Sequence, residues 1–253
     1  MHILVIPSWY PTPEDPISGC FFREQAQALA DYGHRVSVFA FFSDAPKGVY
    51  TEKTVSGNMT EFRIHAKPVR FHLTYFRVMK EMLHLLRTEF SGAKPDVIHV
   101  HSFRAIRYAR ALRALCGIPV VCTEHATWFE RNMLSEKELS AISRDYNAVD
   151  ALIAVSPGLR GHIQPYCTNK DVLIVPNMVD AQFLEDAVHR AAGETFGFVC
   201  VGALTKKKGV DLLLGAFAAV HRKLPHTHLT VCGGGEEESA LLAQAEALGV
   251  SGA

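Results

Sequence analysis

The sequence lacks any excess of charge and any long apolar run. Its 253 residues contain 26 lysines and arginines against 26 aspartates and glutamates, which excludes a global electrostatic attraction to nucleic acid or anionic membranes. Recognition of an anion would therefore have to be local. No apolar stretch approaches the roughly 20 residues that span a bilayer, and the run before Pro7 is too short for a signal peptide. We expect a cytoplasmic protein.

Several motifs of known chemistry are also missing. There is no GxGxxG, the fingerprint of dinucleotide binding, and no GxSxG, so Ser156 before Pro157 is interpreted as a helix N-cap. The six cysteines show no CxxC spacing and are interpreted as reduced, buried side chains. His99 and His101 share one face of a predicted strand, residues 96–101. Because no third ligand can be named, we expect no metal site.

The sequence does contain a strand–loop–helix unit at residues 196–214. Residues 196–201 are almost all apolar, as in a parallel strand covered on both faces, and the residues after the loop have helical apolar spacing. The junction carries Lys206, Lys207 and Lys208. Three cations at the positive end of a helix dipole are unfavourable unless an anion binds there, as phosphates do at helix N-termini. Three solvated lysines on an exposed loop are the alternative.

Strands and helices alternate along the whole chain, which predicts an α/β fold with a doubly wound parallel sheet. Residues 187–195 are small and polar, and they are the predicted linker between a Rossmann-like domain at residues 1–186 and a second one at residues 196–253. The second contains only two predicted strands, too few for an independent sheet. We therefore expect the chain to stop inside this second domain.

Two predicted loops place candidate binding residues after strands. Gly19 lies where the loop after the first strand enters a helix, and without a Cβ it lets a ligand approach the backbone closely. Glu124 and His125 follow the predicted strand 118–123, at the sheet edge where open α/β sheets bind ligands. A loop histidine hydrogen-bonded to backbone is the alternative for His125.

Residues 67–90 mix basic and aromatic side chains and include a predicted amphipathic helix. Such a segment could contact anionic lipid head groups at a membrane surface. A helix packed on the sheet with a solvated basic face is the alternative that we favour, because such faces are common on helices of cytosolic proteins.

The order and spacing of these segments resemble the retaining glycosyltransferases of family 4, which have the GT-B fold. The matching segments cover nearly the whole chain: IPSWYPTPEDPISGCFFREQAQALADYGHRVSV, DVIHVHS, VSPGLR, VPNMVD, VGALTKKKGVDLLLGAFA and the GGGEEE turn. The resemblance implies transfer of a sugar from a nucleotide-diphosphate donor to a glycan or glycolipid acceptor, with retention of anomeric configuration, in a cleft between two Rossmann-like domains. It implies no metal and no cofactor besides the nucleotide sugar as substrate. We expect a bacterial polysaccharide or glycolipid pathway, in the cytoplasm or at the inner membrane surface.

The resemblance also implies roles for four residues. Lys208 matches the lysine that binds the donor diphosphate, and Gly19 matches the glycine loop that faces the same phosphates. Gly202 matches the glycine after the first strand of the second domain. His125 matches the histidine that contacts the donor sugar, which makes it the catalytic candidate.

Two departures limit what the resemblance implies. Ala203 stands where the family often has an arginine that clamps the phosphates, and Lys206 or Lys207 is the candidate substitute. The family's pair of glutamates separated by seven residues is expected beyond Ala253, so we expect this chain alone to be inactive. The alternative function is a non-catalytic module that binds a sugar nucleotide or a partner. Acceptor contacts are expected in the loops 7–18 and 71–90.

Overall fold

The structure is a computed structural model that describes residues 1–69, 73–179, 183 and 195–252. The chain divides into two compact units, Met1–Leu184 and Glu185–Ala253. The predicted linker, residues 187–195, lies outside the described residues except for Thr195, as do residues 70–72 of the basic and aromatic segment. The domain boundaries drawn from the sequence therefore stay predictions.

The first unit is built on a single mixed sheet. Its strands are β1 (His2–Pro7), β2 (Arg35–Phe42), β3 (Val49–Ser56), β4 (Met59–Ala66), β5 (Val97–His101), β6 (Val120–Glu124), β7 (Ala151–Ala154) and β8 (Leu173–Ile174). They are ordered β3-β4-β2-β1-β5-β6-β7-β8, and all neighbouring pairs are parallel except the antiparallel pair β3–β4. Because the strand order reverses at β1, the connections wind in both directions, as the alternating sequence pattern predicts.

Helices cover both faces of this sheet. They are α1 (Cys20–Asp31), α2 (Leu73–Thr88), α3 (Phe103–Cys116), α4 (Glu136–Ala148) and α5 (Pro157–Ile163). Leu4 and Ile6 of β1 belong to the core shared with α2, α3, α4 and α5, whereas Ile3 and Val5 pack with Phe22 of α1 on the opposite face. Alternate residues of one strand thus serve two cores, since successive side chains of a strand point to opposite faces.

Side-chain hydrogen bonds cap the N-termini of two helices. The Ser156 hydroxyl accepts a hydrogen bond from the Leu159 N–H at 3.1 Å, so the predicted N-cap is confirmed. Ser135 and Glu138 form a reciprocal capping box at the start of α4, which satisfies two backbone N–H groups that the helix itself cannot pair.

The second unit has a two-stranded parallel sheet in its described part. Its elements are β9 (Phe196–Val201), α6 (Val210–His221), β10 (Thr227–Cys232) and α7 (Glu238–Ala247). Leu204, Val210, Leu214 and Leu241 form its core. The prediction that β9 is covered on both faces is wrong for the described residues: one face packs toward α6, whereas Val199 and Val201 are 69% and 78% exposed on the other.

Candidate functional site

Gly19 is the residue that precedes helix α1. Its φ of 76° lies in the left-handed region, which favours glycine. A Cβ at this position would lie 2.9 Å from Cδ1 of Trp9 and 3.0 Å from the Trp9 carbonyl oxygen. A glycine is therefore required by the local backbone and by Trp9, whether or not a ligand also approaches it.

The carboxyl ends of β5 and β6 bring the histidines together. The register pairs His101 with Thr123, so Glu124 and His125 come immediately after that pair. Nδ1 of His101 lies 3.1 Å from Nε2 of His125, and Nε2 of His99 is bonded to the Thr123 hydroxyl at 2.8 Å. The two β5 histidines share a face, as predicted, with ring centroids 4.3 Å apart. Across the described residues, no three side chains of metal-ligating type are grouped to hold an ion.

Burial keeps these three histidines neutral. It lowers the pKa of His99 to about 4 and the pKa of His101 well below its usual range, because a desolvated imidazolium is disfavoured. Burial also lowers the pKa of His125 to about 4, the nearby His99 acts in the same direction, and the Asn177 amide acts in the opposite one. Near neutral pH each ring therefore offers one N–H donor and one bare nitrogen acceptor.

The Glu124 carboxylate is fully buried and is occupied by protein donors. Oε1 accepts hydrogen bonds from the Ser102 hydroxyl at 2.7 Å and from the backbone N–H groups of His125 and Ala126. Oε2 accepts from the Tyr146 hydroxyl and from the backbone N–H at the start of α3, at 2.8 and 2.9 Å. Burial raises the pKa of Glu124, and these hydrogen bonds oppose that rise. All five of these donors belong to the protein, so the carboxylate anchors the chain around it; the accessory role predicted for Glu124 stays a prediction.

Ser102 holds a backbone conformation that is rare outside glycine. Its φ of 66° and ψ of 156° fall in a region that costs about 1–3 kcal/mol for other residues. Three hydrogen bonds hold it there: its hydroxyl donates to Glu124, its N–H donates to the Thr123 carbonyl, and its own carbonyl accepts from the Ser8 hydroxyl. Sequence reasoning missed Ser8 and Ser102, although Ser102 stands directly between a predicted strand and a predicted helix.

The three lysines of the second unit form a 3-10 turn before α6. Lys206 Nζ lies 2.6 Å from an Asp211 carboxylate oxygen and 4.0 Å from one of Glu237. The hydrogen bond to Asp211 raises the pKa of Lys206. The expected excess of positive charge is thus partly balanced within the protein. Lys208 is exposed and takes part in none of the ion pairs found among the described residues.

Gly202 follows β9, and its N–H donates to the Cys232 carbonyl at 3.0 Å. The loop after β9 and the glycine turn after β10 then run backbone against backbone. A Cβ at Gly233 would lie 1.9 Å from the Gly202 oxygen, and one at Gly235 would lie 2.4 Å from the Leu204 oxygen. The glycines at positions 233 and 235 are therefore explained by the close approach of two loops.

A cavity of about 1230 Å³ opens in the first unit. It is lined by the proline-rich loop after β1, by α1, by Arg63 and His65 of β4 and by Met178 and Val179. Arg63 donates to the Pro11 carbonyl at 2.9 Å, which ties the loop to the sheet. No helix in the described part of the chain is long and apolar enough to cross a membrane.

Comparison with known proteins matches the two units to two family models. Residues 21–183 match Glycosyltransferase Family 4, and residues 182–253 match Glycosyl transferases group 1. Among curated proteins, glycogen synthase of Mycobacterium tuberculosis is 30% identical over 162 residues, which are 60% of this chain and 39% of that protein. The D-inositol 3-phosphate glycosyltransferase of Segniliparus rotundus is 24% identical over 91% of this chain and 57% of that protein.

Solved structures share the fold. Sucrose-phosphate synthase from Thermosynechococcus elongatus matches with a TM-score of 0.69 at 15% identity, covering 99% of this chain and 68% of that one. Anabaena Alr3699/HepE in complex with UDP-glucose matches with a TM-score of 0.63 at 15% identity, covering 100% of this chain and 67% of that one. These likenesses confirm the predicted GT-B type of fold.

Proposed function

Since the chain belongs to Glycosyltransferase Family 4, we propose that it serves to transfer a sugar from a nucleotide-diphosphate donor to a glycan or glycolipid acceptor. The two family matches, which together extend from residue 21 to residue 253, carry this proposal. The chain spans only 39% and 57% of the length of the two curated relatives described above. The activity is accordingly proposed for the whole protein, with retention of anomeric configuration as in the family that the sequence resembles.

The donor diphosphate is assigned to the start of α6. Lys208 is exposed there, and the N–H groups of the first helical turn are directed toward the same region. Departure of a nucleoside diphosphate concentrates negative charge, which a fixed cation and fixed N–H dipoles stabilise without reorganisation. Gly202 is assigned to the same phosphate contact, and Gly19 keeps the phosphate-binding role that the resemblance implies for it.

The donor sugar is assigned to His125. A neutral imidazole suits this contact because it can hydrogen-bond a sugar hydroxyl without placing a second positive charge beside the reaction centre. The Glu124 carboxylate accepts a hydrogen bond from the backbone N–H of His125 at 2.9 Å. The ring centroids of Phe21 and Phe22 lie 5.3 and 5.0 Å from that of His125. These contacts fix the ring in advance of binding, which lowers the ordering entropy lost when a ligand binds.

The acceptor is assigned to the cavity of the first unit. Relatives are named for compounds as different as glycogen and D-inositol 3-phosphate, so the acceptor of this chain stays open. A membrane contact through residues 67–90 is a further element of the proposal. Leu73 and Phe76 are 55% and 61% exposed on α2, beside the exposed side chains of Arg77 and Lys80.

Calorimetric titration of the 253-residue chain with UDP-, GDP- and ADP-glucose tests donor binding. We expect weak binding of one donor, and we expect Lys208→Ala to weaken it by about tenfold or more. In the whole enzyme the same change should reduce turnover by roughly 10²–10³. Lys223→Ala, which removes another exposed lysine of the second unit, is the matched control. Unchanged binding in the Lys208 variant would overturn the phosphate assignment.

A non-catalytic module that binds a sugar nucleotide is the second candidate. The observation that favours it is Ala203, which puts a methyl group where the family often has a cationic clamp. The two candidates differ in one measurement: the whole protein should transfer labelled sugar to an acceptor if it is a transferase, whereas the module would bind the donor and leave it intact.

A further inference from the structure

We propose that Phe21 is a specificity-determining residue of the donor site: its ring forms an apolar wall beside His125, against which the donor sugar packs when that sugar is an uncharged hexose. The proposal rests on the proposed function, because it takes His125 as the contact of the donor sugar. It adds a second side to that contact and names the charge class of the sugar.

Phe21 and Phe22 are consecutive residues in the first turn of α1, but their surroundings differ. Phe22 is completely buried, whereas Phe21 is partly exposed and packs against the same core from its edge. Successive residues of a helix point about 100° apart, so one ring can fill the core while the other stays at its surface. Phe21 thus presents apolar surface that the described part of the chain leaves uncovered.

The Phe21 ring is held by other aromatic rings. Its centroid lies 4.2 Å from that of Phe22, 5.3 Å from that of His125 and 6.4 Å from that of Trp9. Phe22 in turn packs against Trp9 and His125, at 4.9 and 5.0 Å. A ring held by several neighbours loses little conformational freedom when a ligand binds. Phe21 is therefore a wall that is in place before the sugar arrives.

His125 and Phe21 offer chemically different surfaces side by side. The neutral imidazole can form a hydrogen bond, and the phenyl ring offers an apolar face. A hexose ring has matching parts, because its hydroxyl groups project from the ring edge and its C–H groups lie on the ring faces. Pockets for small ligands combine aromatic walls with a few oriented polar groups in this way. We assign a hydroxyl group of the sugar to His125 and a C–H face to Phe21.

The same two rings disfavour a charged sugar. A carboxylate, as in a uronic acid, would lose hydration against the phenyl ring, and an unpaired charge out of water is costly. Neither the phenyl ring nor the neutral imidazole supplies a positive charge to compensate. The donor sugar is therefore expected to be a hexose without an acidic group.

Calorimetric titration of the 253-residue chain with UDP and UDP-glucose, and with the corresponding ADP and GDP pairs, tests the proposal. Phe21→Leu keeps apolar bulk but removes the planar ring. It should lower the affinity for the nucleotide sugar by about fivefold and leave the affinity for the nucleotide unchanged, whereas Phe21→Tyr should retain both. Phe41→Leu is the matched control and should change neither affinity. Phe41 is also partly exposed, but it packs with Tyr108 in the other core of the first unit.

Two measurements on the wild type do not depend on how any variant folds. In NMR of the complex with the nucleotide sugar, saturation of the aromatic protons of the protein should transfer to the C–H protons of the glucose. The glucuronic acid derivative of the same nucleotide should bind at least about tenfold more weakly than the glucose derivative, because its carboxylate would be desolvated.

Equal losses of affinity for nucleotide and nucleotide sugar in Phe21→Leu would reduce Phe21 to a packing role and overturn the proposal. Unchanged affinity for both would overturn it as well, and so would absent saturation transfer or tight binding of the glucuronic acid derivative. In each of these cases the donor still binds, and the proposed function stands. A wild-type chain that binds none of the nucleotide sugars would instead put the proposed function itself in error.

Discussion

The Ser102 hydroxyl donates to Oε1 of Glu124 at 2.7 Å, and neither residue has any solvent exposure. The contact joins the residue after β5 to the last residue of β6, at the carboxyl ends of these strands. His125 is the next residue of the chain. Through its other oxygen Glu124 also holds Tyr146 of α4. The loop that carries His125 is therefore fixed by a carboxylate that the solvent cannot reach.

Removal of this carboxylate should destabilise the first unit strongly. Glu124→Ala leaves several buried donors without an acceptor, and we expect a loss of at least about 3 kcal/mol in the free energy of unfolding. Tyr146→Phe removes a single donor and should cost about 1–2 kcal/mol. Urea denaturation measures both variants. Equal losses would show that Glu124 is not the centre of the network.

The strained backbone of Ser102 predicts an unusual order of stability. Ser102→Ala and Ser102→Gly both lose the hydrogen bond to Glu124, but only glycine relieves the backbone strain, which is about 1–3 kcal/mol. The glycine variant should therefore be the more stable of the two by about 1–2 kcal/mol, less the greater entropy of glycine in the unfolded chain. An alanine variant at least as stable as the glycine variant would contradict the strain seen at this residue.

The two glycines assigned to phosphate contact should respond differently to alanine. Gly19→Ala places a methyl group against Trp9 in a left-handed conformation and should destabilise the chain by about 1–3 kcal/mol. A Cβ at Gly202 meets no atom within 4 Å, so Gly202→Ala should fold as well as the wild type. If Gly202 contacts the donor phosphates, the same variant should bind donor more weakly, as calorimetry would show. Normal donor affinity in Gly202→Ala would remove Gly202 from the site.

Neutral buried histidines make stability depend on pH. The pKa of His99 and of His125 is about 4 in the folded chain and about 6.5 in an unfolded chain. Between these values the unfolded state binds more protons, so stability falls as pH falls. Above about pH 7 these two histidines do not make the free energy of unfolding depend on pH. The measurement is chemical denaturation between about pH 7 and about pH 5. The free energy of unfolding should decline less steeply in His99→Gln than in the wild type, by up to about 1.4 kcal/mol per pH unit.

A comparison with His99→Gln isolates one group, because the contributions of the other titrating residues are common to both proteins. Glu124 acts in the opposite direction, since burial raises its pKa. Identical pH slopes for wild type and variant would mean that burial does not lower the pKa of His99 in the folded state.

Much of the fold follows from local patterns in the sequence. Strand β2, Arg35–Phe42, is an apolar run that is delimited by a glycine turn and a polar loop. The cap at Ser156 was predictable for the same reason, since its partner is three residues away. The compensation of Lys206 by Asp211 was also visible in principle, because the acid stands five residues further on.

The remainder depends on contacts between residues far apart in the chain. Ser102 and Tyr146 each lie 22 residues from Glu124, and nothing in their local patterns indicates a shared carboxylate. The exposure of Val201 was missed because an apolar run shows that a strand can be covered but not what covers it. The neutral state of His101 depends on full burial, which a period-two pattern alone does not establish.

The contact between Gly202 and Gly233 is made without side chains, and this has a consequence for how the second unit tolerates variation. In a library randomised at both positions and sorted only for resistance to proteolysis, position 233 should yield glycine alone, because any larger residue would collide with a carbonyl oxygen. Position 202 should yield many residues. Glycine at position 233 would thus be invariant because there is no space for a side chain. Any restriction found at position 202 would have to come from function.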